Sequence, residues 1–301
     1  MQRGLIVLIV ILIVIAGGAF WYHQEYQTSN TAENPAAATA DTLQQATTTP
    51  AAQEQNQTVI GKSVQGRDIT AYHFGTGTKE ILFVGGIGGG YEWNTALVAY
   101  QLMDYLKSNP DAIPADVKVT VIPALNPDGL YKATGKEGEF VASDVQASQD
   151  AQVSGRFNAS NVDLNRNFDC DWKANGVWQN KAVSGGSSAF SEPESQAIKN
   201  YIGSSKPAAV ISWYSSAGGV YASNCHNGVL PETKTLTDLF AKASGYPAND
   251  VWNYYELSGD MMNWLAKIQI PAISVLLTNH TDTEWNKNQA GVLAVLQHYA
   301  Q

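Results

Sequence analysis

Strand-like apolar runs alternate with helix-spaced segments from residue 58 onward, and four of these runs end in a glycine-rich or polar cluster. Residues 59–74 read as a hairpin punctuated by Gly61 and Gly66. Residues 80–84, 117–124, 208–214 and 270–277 read as strands, the last of them β-branched. Between them, Leu97, Val98, Leu102, Tyr105 and Leu106 fall on one face of a helix over 94–107. A capping-box pattern, Ser191-Glu-Pro-Glu194, predicts a helix running to about Ile202. Helices are also expected over 231–243, 259–267 and 285–299, and a long loop without apolar periodicity over 126–190. Such an order implies an α/β domain: a mixed sheet with helices on both faces. Sites in such sheets sit at the carboxyl ends of strands. The clusters at 85–94, 126–129, 212–219 and 278–281 are therefore expected on one rim.

The chain divides into three parts. Arg3 precedes an uncharged apolar run from Leu5 to Phe20, closed by Trp21 and Tyr22. Residues 1–23 are expected to form a transmembrane anchor or a signal segment, Ala16-Gly-Gly-Ala19 being the candidate cleavage stretch. Residues 24–57, rich in Ala, Thr, Gln and Asn, bury too little to fold and read as a stalk. Residues 58–301 remain for one domain. No Lys or Arg occurs between Arg3 and Lys62, so that domain is expected outside the cytoplasm, periplasmic or extracellular and held by residues 5–22. A net charge of −9 excludes nucleic acid as an expected partner. Cys170 and Cys225 are the only cysteines, and in an exported chain they are expected to form one disulfide.

The motifs carry a family resemblance. Gly61-Lys-Ser-Val-Gln-Gly-Arg-Asp-Ile69, Gly85-Gly-Ile-Gly-Gly-Gly-Tyr-Glu92, Pro123-Ala-Leu-Asn-Pro-Asp-Gly129 and Val162-Asp-Leu-Asn165-Arg166-Asn-Phe168 occur in that order. They are followed by Ile211-Ser-Trp-Tyr214-Ser-Ser-Ala-Gly-Gly219, Tyr255-Glu-Leu-Ser-Gly259 and Pro271-Ala-Ile-Ser-Val-Leu276. The series resembles zinc carboxypeptidases of the carboxypeptidase A type across nearly the whole domain. The resemblance implies their fold and a cleft in which two histidines and a glutamate hold Zn²⁺. The metal would lower the pKa of a bound water towards ~7. A further glutamate would act as general base, and an arginine clamp would hold the substrate's terminal carboxylate.

Transferred to this chain, the clamp persists and the metal site does not. Glu92 keeps the carboxylate of H-x-x-E, but the histidine position is Gly89, or Gly88 in the alternative register. The second histidine position is Tyr214 and the general-base position is Leu276. No cofactor is expected, zinc entering only if other ligands rebuild a site; His226 and His280, the latter near Asp282 and Glu284, are the candidates. Replacing Gly89, Tyr214 and Leu276 by the family's residues is expected to create zinc binding. The resemblance assigns substrate contacts to Asn165, Arg166, Arg156 and Tyr255, with Met262 shaping the side-chain pocket. Alternatively, Arg166 is structural, paired to Glu92 or Asp163. The readings are a pseudo-peptidase binding a peptide or peptide-stem C-terminus, an active metallocarboxypeptidase with other ligands, and a structural envelope protein with a vestigial cleft.

Overall fold

The computed structural model describes residues 56–300, so the apolar run and all of the expected stalk but its last two residues lie outside the described residues; of those two, Gln57 opens the first strand. Among the described residues no helix is long and apolar enough to cross a membrane. The strands are β1 (Gln57–Lys62), β2 (Asp68–Phe74), β3 (Lys79–Val84), β4 (Val117–Ile122), β5 (Asn175–Trp178), β6 (Lys181–Ser184), β7 (Ala209–Ser215), β8 (Gly219–Ala222), β9 (Ala248–Asn249) and β10 (Ala272–Leu277). Eight of them form a mixed sheet in the order β1-β2-β4-β3-β7-β10-β8-β9. β3, β7 and β10 are parallel neighbours at its centre. The helices are α1 (Trp93–Ser108), α2 (Pro127–Thr134), α3 (Gln149–Ser154), α4 (Pro193–Ser205), α5 (Pro231–Ser244), α6 (Met261–Lys267) and α7 (Trp285–Tyr299).

The central strands are buried on both faces, which is why they read as unbroken apolar runs. Alternate residues feed two cores. Phe83, Trp213 and Val275 pack with Leu102 of α1, Phe240 of α5 and Val295 of α7. Leu82, Val210 and Leu276 point the other way, into a core with Ile198 of α4 and Leu265 of α6. Each such side chain, fully buried, contributes roughly 1.5–3 kcal/mol. Tyr214 and Leu276 pair across β7 and β10 and belong to this second core.

Several elements differ from the sequence reading. The supposed loop over 126–190 contains α2, α3 and a separate hairpin of β5 and β6. Asn126 is a helix cap rather than part of a free turn: its side chain accepts a hydrogen bond from Gly129 N–H at 2.9 Å, and Pro127 opens α2. The hairpin turns on Gln179 and Asn180, both at positive φ (48° and 61°), a conformation usually signalled by glycine. α4 starts at Pro193 with Glu192 as an N-cap that makes no side-chain capping bond, so the expected capping box does not form. β8 and β9 were too short to register as strands.

Cys170 and Cys225 form a disulfide with Cα atoms 6.2 Å apart, tying the segment after Arg166 to the stretch beyond β8. The bridge closes a sequence separation of 55 residues. A loop of this length predicts that the Cys170→Ser/Cys225→Ser variant loses about 2–4 kcal/mol in urea unfolding. An unchanged midpoint would show that both segments are held fully by their other contacts.

Candidate functional site

The carboxyl ends of β3, β7 and β10 converge on Glu92, which closes the short turn Gly89–Glu92 before α1. Its Oε1 accepts a hydrogen bond from Arg156 Nη1 at 3.1 Å, and its Oε2 accepts one from Ser215 N–H at 3.4 Å. Arg156 also binds Asp163 Oδ2 through Nε at 3.1 Å and Nη2 at 3.0 Å. The Trp178 ring lies 4.6 Å from the guanidinium and covers it. All three residues are buried. Burial pushes the Glu92 carboxyl up to about 7, against the pull of Arg156 and of the Ser215 N–H, and Asp163 adds like-charge repulsion. For Arg156, burial acts to lower the pKa, but Asp163 and Glu92 outweigh it and the guanidinium stays charged. Of the two arginines, Arg156 and not Arg166 therefore pairs with Glu92 and Asp163.

The residues at the positions that the resemblance assigns to the metal and the general base do not fit zinc. Gly89 has φ +48°, and a Cβ there would lie 2.3 Å from the Gly155 carbonyl oxygen and 2.8 Å from Asn126 Nδ2. At Gly88 a Cβ would meet Glu92 Cδ at 2.6 Å. Glycine here is thus a packing requirement, not only a missing imidazole. Tyr214 is buried, its hydroxyl 3.4 Å from Asn165 Oδ1, and burial holds its pKa well above the usual phenol range. It remains a neutral phenol, a poor zinc ligand. Leu276 beside it has no donor atom, and Glu92 is already engaged by Arg156. The His226 candidate stands with Cys170 and Cys225, the three offering ligand atoms within 4.8 Å of one another, but the two sulfurs are bonded to each other and give no thiolate.

A second group surrounds Arg166, which is fully buried. Its Nη1 donates to the Asn165 carbonyl at 2.8 Å and its Nη2 to the Val177 carbonyl of the hairpin at 3.2 Å. Its Nε is buried without a hydrogen-bond acceptor. Among the described residues no carboxylate lies within ion-pair distance of it. The half-exposed Tyr255 ring stands 5.7 Å from the guanidinium. The adjoining cavity holds about 40 Å³ and is lined by residues including Asn165, Tyr214, Trp252, Tyr255, Asp260 and Leu276. Met262 does not line it; it is 1% exposed and packs in the core. Asp260 and Ser274 take the lining positions instead. Asp260 also caps α6, accepting from Asn263 N–H at 2.9 Å, and burial raises its pKa above the usual carboxylate range. Its sequence signal, an acid between Gly259 and a helix start, reads as a cap and conceals the cavity role.

His280 lies between Ser215 and Ser216, with Nδ1 2.8 Å from Ser215 Oγ and Nε2 3.3 Å from Ser216 Oγ. Glu284, expected beside it, instead accepts from Thr278 N–H at 2.7 Å and from the Tyr246 hydroxyl at 2.7 Å.

Residues 45–289 match the zinc carboxypeptidase family, and the chain belongs to it. It is 25% identical over 291 residues to carboxypeptidase D of Drosophila melanogaster, a match covering 79% of this chain and 19% of that protein. It is 33% identical over 122 residues to carboxypeptidase Z of Rattus norvegicus, covering 36% of this chain and 17% of that one. The chain thus spans less than a fifth of the length of these relatives. Among solved structures, the murein-tripeptide amidase MpaA from Escherichia coli O157 superposes with a TM-score of 0.55 at 19% identity, covering 81% of this chain and 91% of that one. Bovine thrombin-activatable fibrinolysis inhibitor gives 0.64 at 16% identity, covering 81% and 90%. Both likenesses establish the fold.

The geometry makes two predictions. The Gly89→His/Tyr214→His/Leu276→Glu variant, expected from sequence to create zinc binding, should not do so, because residue 89 has no room for a side chain. Metal analysis after dialysis should find far less than one zinc per chain; stoichiometric zinc would show that the loop around Gly155 yields. Arg156→Met strands two buried carboxylates and should cost roughly 3–5 kcal/mol in urea unfolding at about pH 8. Glu92 holds a proton below about 7 that the unfolded chain keeps only below about 4.5, so its ionisation opposes folding as pH rises through that window. The cost of Arg156→Met should therefore be smaller at about pH 5 than at about pH 8.

Proposed function

We propose that this chain is a zinc-free member of the carboxypeptidase family that holds the C-terminal carboxylate of a peptide, or of a cell-wall peptide stem, without zinc-dependent cleavage. The observation that carries this reading is Arg166: a buried guanidinium with no carboxylate partner within ion-pair distance and a free Nε, facing a rim tyrosine. A buried charge of this kind is costly unless paired, and a ligand carboxylate would pair it. The Tyr255 ring, 5.7 Å from the guanidinium, would flank or have to yield to a carboxylate bound there. The apolar run over residues 5–22 supports placing the domain at the cell envelope, outside the cytoplasm. A structural protein with a vestigial cleft is the second reading, favoured by the 40 Å³ cavity, which is far below the roughly 300–1,000 Å³ of ordinary ligand sites. The misfit at Gly89, Tyr214 and Leu276 argues against the active zinc enzyme.

Calorimetric titration with matched peptides ending in a free carboxylate or in an amide separates the two. Charge-assisted bonds of roughly 1.5–3 kcal/mol predict at least a tenfold preference for the acid. Arg166→Met should remove that preference. Equal binding of both forms, or binding of neither, would establish the vestigial cleft.

A further inference from the structure

The rim residues Asn94, Ser215, His280 and Ser216 form one hydrogen-bonded chain. Asn94 Nδ2 donates to the carbonyls of Asn279 at 2.8 Å and Asp282 at 2.9 Å, which sets the amide orientation and turns Oδ1 towards Ser215 Oγ at 3.2 Å. Ser215 Oγ lies 2.8 Å from His280 Nδ1. In the tautomer with its proton on Nδ1, the ring donates to Ser215 Oγ and Nε2 presents its lone pair to the exposed hydroxyl of Ser216 at 3.3 Å. Burial, and secondarily the Arg156 charge, holds the imidazole below its usual pKa, so the ring is neutral at neutral pH and has a nitrogen free to accept a proton. Tyr91 packs on the ring at 4.4 Å and is itself held by Trp178 at 4.8 Å and by Gln179, whose Nε2 donates to its hydroxyl at 2.7 Å. Nucleophile, base and a third group that orients the base are the parts of a serine acyl-transfer site.

We infer that Ser216 is a nucleophile activated by His280, giving this rim a metal-free acyl-transfer activity on carboxylic esters and activated amides. The Ser216 oxygen attacks the acyl carbon and its proton passes to His280 Nε2. The tetrahedral intermediate then expels the leaving group, which takes the proton back from Nε2. Water repeats the two steps on the acyl-serine, so each turnover consumes one water with the substrate and releases the acid and the protonated leaving group. Ser216 and His280 are the catalytic residues; Ser215 and Asn94 are positioning residues. The Oγ···Nε2 distance is at the long end for an apo site, and such bonds shorten when substrate binds. This inference goes beyond carboxylate binding at Arg166 and does not depend on it.

The test is covalent labelling of the full chain with a fluorophosphonate, with the adduct located by peptide mass spectrometry. One adduct on Ser216 is expected, absent in Ser216→Ala. His280→Ala should slow labelling by about 100-fold or more. Ser215→Ala should slow it and Ser215→Thr restore it, because threonine keeps the hydroxyl relay; a purely structural serine would not separate these two. Far-UV circular dichroism checks that each variant is folded, with His280→Gln replacing His280→Ala if the latter is not. Absence of a Ser216 adduct in the wild type, or labelling of the folded His280 variant at the wild-type rate, overturns the inference. Acid–amide peptide discrimination is read separately, so failure of either reading leaves the other standing.

Discussion

The architecture of the cleft depends on one buried charge arrangement, Arg156 between Glu92 and Asp163. A guanidinium and two carboxylates out of water are costly unless each finds its partners. Here those partners come from separate parts of the chain. Glu92 joins the end of β3 to the end of β7 through the Ser215 N–H. Asp163 accepts from Asn165 N–H at 3.1 Å and so shapes the turn that presents Arg166. The Arg156 carbonyl accepts from Asn126 Nδ2 at 3.1 Å, which ties the same residue to the cap of α2. The β5–β6 hairpin closes over it with Trp178. Segments that read from sequence as unrelated loops are thus held together by one cation.

In the zinc-free reading proposed above, the same arrangement would stand in place of the family's metal chemistry. A carboxylate committed to a guanidinium is not free to hold a metal, and its raised pKa removes part of the charge a metal would need. Nearby, Gly89, Gly129 and Gly155 pack backbone against backbone: a Cβ at Gly129 would sit 2.1 Å from the Gly155 carbonyl, much as one at Gly89 would. Polar groups on the rim include the Ser216–His280 pair, Ser215 and Asn94, with Asp260 and Asn165 lining the cavity beside it.

The central strands were legible because burial on both faces leaves a continuous apolar run, as in Ile81-Leu-Phe-Val84. The rim was legible because glycine and polar clusters follow those strands. The stretch over 126–190 was not, for two physical reasons. α2 is only eight residues long, and its start at Asn126-Pro127 has the same chemistry as a simple turn. The hairpin uses Gln179 and Asn180 where glycine would have announced it. At the site, Glu92, Tyr214 and Leu276 were locatable by position. Which arginine pairs with Glu92 was not, since Arg156 and Arg166 both lie near it in the motif order and only the packing of Trp178 and Val177 distinguishes them. Gly89 illustrates the limit most clearly: a sequence records a missing side chain, but not that the space for it has gone.

Tyr255 is half exposed, sits on an irregular segment and places its ring 5.7 Å from the Arg166 guanidinium, which among the described residues has no carboxylate within ion-pair distance. A carboxylate bound at Arg166 would compete with the protein's own ring. Its apparent affinity would equal the intrinsic affinity scaled by the fraction of molecules in which that ring has swung away. Anything that shifts this population, such as a partner gripping the exposed face of Tyr254 or Tyr255, would tune occupancy without touching Arg166. The cleft would then behave as a receptor set by an internal occupant.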